Sequence, residues 1–123
     1  MKVLLSIKPE FAEKIFNGTK KFEFRRSIFK NPNIKTIVVY ASAPTQKVIG
    51  EFDIENILFE EINNLWLQTQ NHAGINKDYF LSYFSDKQEG YAIEIKRPRK
   101  YDVPLELKEN FKIQQPPQSF AYI

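Results

Sequence analysis

Hydrophobic and polar positions regroup along the chain in short runs that predict brief strands interrupted by brief helices. Lys2 to Ile7 is an apolar run of strand length. Pro9 suits the first position of a helix, and Glu10 favours its positive end. Phe11, Ala12, Ile15 and Phe16 then share one helical face, and Asn17-Gly18 ends the helix, with glycine in the left-handed position past its last turn. Between Lys20 and Arg26 the period changes to two: Phe22 and Phe24 point one way, Lys21, Glu23 and Arg25 the other. A loop follows around Pro32.

Ile34 to Ala41 is β-rich, and Ile37-Val38-Val39-Tyr40 is apolar enough for burial on both faces. After a turn around Pro44, Val48 to Ile57 alternates apolar and charged positions, one face buried and one wet. Residues 61–70 predict a helix anchored by Ile62, Leu65 and Trp66. Asn76 caps another, with a stripe of Tyr79, Phe80, Tyr83 and Phe84. Tyr91, Ile93 and Ile95 mark a strand after a Glu89-Gly90 turn. Pro98 and Pro104 frame an irregular crossing segment, and Ser119 to Ile123 is a last short strand. About six strands with three short helices predict an α+β chain, mainly β, built as a small mixed or antiparallel pseudo-barrel. With no repeat, linker or low-complexity tract, residues 1–123 read as a single domain.

Composition narrows the chemistry. Zero Cys removes disulfides, zinc ribbons and thiol catalysis, and the single His72 excludes a His-rich metal site or an ordinary hydrolytic triad. Gly18, Gly50, Gly74 and Gly90 are scattered, so no glycine loop cradles a phosphate. The opening apolar run is too short for a signal peptide and no long apolar stretch spans a membrane, so a cytoplasmic location is expected.

The net charge of +3 is unevenly spread. Residues 1–30 hold eight basic against three acidic residues, whereas 51–61 hold five carboxylates and no base. Basic character returns at Lys96-Arg97-Pro98-Arg99-Lys100. Such segregation suits a positive face for phosphates, or merely a well-solvated surface.

The candidate chemistry lies in Gly18-Thr19-Lys20-Lys21-Phe22-Glu23-Phe24-Arg25-Arg26. Two placements satisfy the pattern. On an exposed face the charges make weak surface pairs. Turned into a concave site, Arg25 offers a planar fork to a phosphate or base edge, and Glu23 orders it or accepts from a base amine. Tyr40 and Ser42 at a strand end, and Ser119 near the C-terminus, place hydroxyls where a barrel mouth or a simple turn would use them.

These residues resemble a known family. Lys8-Pro9, Ile15-Phe16-Asn17-Gly18-Thr19-Lys20, then Glu23 and Arg25 are similar to the signature of the ASCH domain, a helix ending in Gly-x-Lys with Glu three and Arg five residues later. Tyr40-Ala41-Ser42-Ala43-Pro44, Val48-Ile49-Gly50-Glu51, Gly90-Tyr91-Ala92-Ile93 and Pro116-Pro117-Gln118-Ser119-Phe120 resemble its later parts. The resemblance implies a PUA-like fold whose cleft beside the first helix binds RNA or a modified base. Lys20, Glu23 and Arg25 would line it, with Tyr40, Ser42 and Ser119 as neighbours. Two activities occur among similar proteins. An acetylcytidine amidohydrolase uses the Lys of Gly-x-Lys and a Thr three residues later, where this chain has Glu23. A metal-stimulated ribonuclease relies on a Tyr, a Lys and a Ser, which Tyr40, a lysine and Ser119 could supply.

The leading expectation is therefore an RNA-binding domain for single-stranded RNA or a modified base, with Lys8, Lys20, Lys21, Glu23, Arg25, Arg26, Tyr40, Ser42 and Ser119 as binding residues. No resident metal or other cofactor is expected. The alternative is an enzyme acting on RNA or nucleosides, with a divalent ion under its nuclease form. A third reading is an adaptor that meets a protein partner through the acidic strand around Glu51 and Glu55.

Overall fold

In a computed structural model, which describes residues 1–123, six strands join one mixed sheet in the order β2-β5-β4-β3-β1-β6. They are β1 (Val3–Ile7), β2 (Phe22–Arg25), β3 (Thr36–Ala41), β4 (Lys47–Glu61), β5 (Glu89–Leu105) and β6 (Ala121–Tyr122). The helices are α1 (Pro9–Phe16), α2 (Ile62–Thr69), α3 (Lys77–Tyr83) and α4 (Leu107–Phe111), with a 3-10 turn over Gln70–His72. Only β1 and β3 run parallel, and α1 lies in the crossover between them. The mainly β, α+β architecture is thus the one the period-two runs predict.

The sheet is wrapped round its own core. Val3, Leu5, Ile15, Ile37, Val39 and Phe52 pack on one face, with Leu4, Val38, Tyr40, Val48 and Leu107 on the other. A further cluster under α2 and α3 includes Phe24, Leu65, Phe80 and Phe84. Successive residues of β1 and β3 are buried in opposite clusters, which explains why these strands carry unbroken apolar runs. The two edges of the sheet are bridged beyond β2: Arg25 Nη2 donates to Ser119 O at 2.7 Å, and the amides of Lys30 and Asn31 donate to Tyr122 Oη at 3.2 Å each.

Three local expectations are corrected. The segment between Pro98 and Pro104 is strand: β5 runs through it, because both prolines fall where the pairing with β4 skips and no ladder hydrogen bond is demanded of them. Glu89 and Gly90 belong to β5, since β4 continues to Glu61 and pairs with them. The last strand shrinks to Ala121–Tyr122, and α4 is a helix that its five residues were too few to announce by periodicity.

Candidate functional site

The left-handed Gly18 (φ +88°) lets the chain double back after α1, so that the amides of Thr19 and Lys20 both donate to Lys14 O at 3.0 Å. Lys21 N then donates to His72 O, and Lys21 O accepts from Ile95 N, each at 2.9 Å. Residues 19–21 are held between α1, the 3-10 turn and β5, and the Lys20 side chain is sent inward. The spacing Gly-x-Lys has this mechanical meaning.

Lys20 is only 2% exposed. Its Nζ donates to Ala73 O at 2.6 Å and lies 4.9 and 5.5 Å from the ring centroids of Phe24 and Phe11. One carbonyl and two aromatic faces replace water incompletely. Burial therefore pulls the amine down from its ordinary 10.5 to about 8, opposed by the Glu23 carboxylate and assisted by Lys14. Near neutrality Lys20 is a cation unusually ready to release its proton.

Glu23 and Arg25 share a face of β2. Arg25 Nη1 lies 3.4 Å from Glu23 Oε2, while Nη2 reaches Ser119 O. Both side chains are largely buried. Of the two placements open in the sequence, the structure takes the concave one. Tyr83 Oη donates to Phe24 O at 3.1 Å, and burial holds its phenol above the usual tyrosine range.

Together these groups line a cleft of about 170 Å³ between α1, β2 and α3. Lys20, Glu23 and Arg25 supply its polar groups and Phe11, Phe24 and Tyr79 its aromatic surface. Phe11 and Tyr79 meet edge to face at 5.2 Å, and Lys8 Nζ stands 5.5 Å from the Tyr79 ring centroid. The volume falls below that of pockets for drug-sized ligands, about 300 Å³ and more, and suits a single ring with the rest of its molecule outside.

The sequence candidates divide. Lys8, Lys20, Glu23 and Arg25 line the cleft. Ser119 does not line it: its carbonyl accepts from Arg25, which does, and its hydroxyl lies 3.4 Å from that of Ser27. Lys21 is exposed and engaged by its backbone. Arg26 Nη1 turns to Tyr83 O and Ser85 O, at 2.8 Å each. Tyr40 is 3% exposed among Leu4, Val38 and Val48. It pairs in register with Ser6, whose hydroxyl donates to Pro117 O at 2.9 Å, so it lies one strand from the Pro117–Ser119 segment without a hydrogen bond to Ser119. Ser42 is half-buried in the turn after β3, its amide donating to Ile7 O at 2.9 Å.

Phe11, Tyr79 and Tyr83 were assignable to the core by spacing, yet they line the cleft. The available signal was the phenol: a tyrosine at the edge of an apolar stripe asks for a polar outlet. Nothing in sequence marks the Ala73 carbonyl.

Three carboxylates of the acidic strand are paired with bases. Arg99 Nη2 reaches Glu51 at 2.7 Å and Asp53 at 3.0 Å, Arg97 reaches Asp53 at 2.9 Å, and Lys96 reaches Glu55 at 3.0 Å. Hydrogen bonds from Arg99, Arg97 and Thr36 hold the Asp53 carboxyl far below the usual range. Glu51, Asp53 and Glu55 thus spend their charge on Lys96, Arg97 and Arg99, whereas Lys100, Glu60 and Glu61 take part in no ion pair. No group of three or more His, Cys, Asp or Glu side chains is placed to hold a metal ion. No helix is long and apolar enough to cross a membrane.

A helix ending in Gly-x-Lys, a buried lysine and a mixed sheet with bridged edges define a class. The family model of the ASCH domain matches residues 5–105, and the chain belongs to that family. It is 32% identical over 125 residues to a Zymomonas mobilis protein named ASCH domain-containing ribonuclease, covering 98% of this chain and 82% of that one. The crystal structure of ASCH from Zymomonas mobilis aligns with a TM-score of 0.91 at 31% identity, over 99% of this chain and 87% of that one. Serine-to-alanine and tyrosine-to-phenylalanine variants of that protein align equally well. The chain also matches part of larger proteins of Ureaplasma parvum. It is 26% identical to large ribosomal subunit protein uL22, spanning 39% of its length, and 30% identical to ATP synthase subunit alpha, spanning 15%.

Proposed function

We propose that the chain binds single-stranded RNA and takes one base, ordinary or modified, into the cleft beside α1. The observation that carries this reading is Lys20: a buried ammonium between two aromatic rings, open to a slot sized for one ring. A base placed there would stack on one of the two perpendicular rings, Phe11 or Tyr79, and meet the other at its edge, and Lys20 would donate to a ring acceptor. Glu23 would accept from an exocyclic amine while Arg25 keeps it ordered. Lys8 stands at the rim for a phosphate, and Lys21 and Arg26 extend the positive surface around it. A cytoplasmic location goes with such a ligand.

The test is binding of single-stranded RNA followed against salt. Contact with a few phosphates gives a log–log slope of about −2 to −3. Absence of binding at low salt overturns the reading.

A second reading is that the bound RNA is cut, and the named ribonuclease of Zymomonas mobilis favours it. Purified protein incubated with single-stranded RNA, with and without manganese, decides it. Cleavage that survives Lys20→Ala combined with Ser119→Ala belongs to a contaminant. An acetylcytidine amidohydrolase has less support, because the position three after Lys20 holds a carboxylate tied to Arg25 and no hydroxyl.

A further inference from the structure

Strand register places Arg25 of β2, Tyr91 of β5 and Phe59 of β4 in one row across the sheet. Residues directly opposite in neighbouring strands share a face, so the face from which Arg25 enters the cleft continues into an aromatic pair. The Phe59 and Tyr91 rings lie 4.5 Å apart at 32°, and Phe59 is 47% exposed. A groove of about 410 Å³ runs beside them, flanked by Arg26, Lys30 and Lys87, with Glu89 its one carboxylate. None of those three cations takes part in an ion pair, in contrast to Lys96, Arg97 and Arg99. Unpaired positive charge and an exposed aromatic pair coincide here.

We propose that this groove is a second RNA subsite, which stacks a neighbouring base on Phe59 and Tyr91 and holds the connecting phosphates with Lys30, Lys87 and Arg26. The proposal rests on the cleft being the first subsite. A single strand is the occupant because its base faces are free to stack, whereas a duplex encloses them. The cations match the phosphates that link one base to the next, and stacking on an open ring face accepts any base. The groove would therefore add affinity with little sequence preference, leaving selectivity to the cleft.

The experiment compares binding of a short oligocytidylate, whose base carries a ring acceptor and an exocyclic amine, with that of cytidine monophosphate, which fills the cleft alone. Phe59→Ala is expected to weaken the oligomer roughly tenfold and to leave the monophosphate unchanged. Phe59→Tyr restores the oligomer affinity. Lys30→Gln with Lys87→Gln lowers the log–log salt slope by about 1.4, the value for two phosphates of a single strand. Phe59 is half out in solvent, so its truncation leaves the fold intact, which a thermal melt verifies. Oligomer affinity indifferent to all these changes, yet lost in Lys20→Ala, overturns the second subsite and leaves the cleft standing. A slope change without any effect of Phe59→Ala overturns the stacking role and reduces the groove to a charged surface, open also to an acidic peptide. A parent chain that binds neither ligand removes both readings.

Discussion

Lys20 lies across Gly74 with no room for a side chain between them: a β-carbon built on Gly74 would stand 2.5 Å from Lys20 Cγ and 2.6 Å from its Cβ. Gly74 also has a φ of +71°, where any other residue is strained. Gly74→Ala must therefore both strain its own backbone and displace the lysine stem, breaking the bond from Nζ to Ala73 O. The expected loss is about 2 kcal/mol, read from urea unfolding, together with weaker RNA binding because the amine has moved. An unchanged midpoint would remove the packing argument.

Burial of Lys20 makes stability depend on pH. Its pKa is about 8 in the folded chain against 10.5 as the ordinary value, so between those limits the unfolded chain binds more protons and stability rises with pH. The cost of burying the charge, on the order of 3 kcal/mol, is fully present below pH 8 and relieved towards pH 10.5. Lys20→Met keeps the apolar length and removes the ion. Unfolding at pH 7 and pH 10 should show a rise in the parent that the variant lacks; parallel behaviour of the two proteins counts against a depressed pKa.

The same titration separates binding from cleavage. If Lys20 acts as a cation towards a base, RNA affinity falls as pH passes upward through about 8. If its free amine acts as a base in catalysis, cleavage instead rises through that pH. Anisotropy and gel-based cleavage over pH 6.5–9.5, with Lys20→Arg as a group that stays charged, distinguish the two. A flat profile in both assays excludes Lys20 from either role.

Arg25 is bidentate between Glu23 and Ser119 O, on opposite edges of the sheet. A lysine presents one ammonium and cannot serve both directions of that fork. Arg25→Lys is expected to cost about 1–2 kcal/mol and to raise hydrogen exchange at Ala121 and Tyr122, since the segment before β6 loses its tie. Exchange confined to β2 would show that Ser119 needs no such anchor.

Much of this is local and therefore readable in the chain itself. The change from helical to strand period at Gly18–Lys20 locates α1, its glycine stop and β2, because caps and periodicity involve neighbours only a few residues apart. The family signature lies in those same residues. The fate of Pro98 and Pro104 is different: it depends on where β4 skips a partner, a matter of register over some fifty residues of separation.

What the sequence by itself determined was the class of fold, the ASCH signature and a short charged strand with two candidate environments. Only the tertiary structure decided between those environments, because the burial of Lys20 requires a carbonyl from residue 73 and a bare backbone at residue 74. It likewise paired Glu51, Asp53 and Glu55 with Lys96, Arg97 and Arg99, and set Arg26, Lys30 and Lys87, which have no ion pair, beside Phe59 and Tyr91. Charge and burial are properties of a residue's surroundings, and those surroundings come from parts of the chain that no local pattern connects.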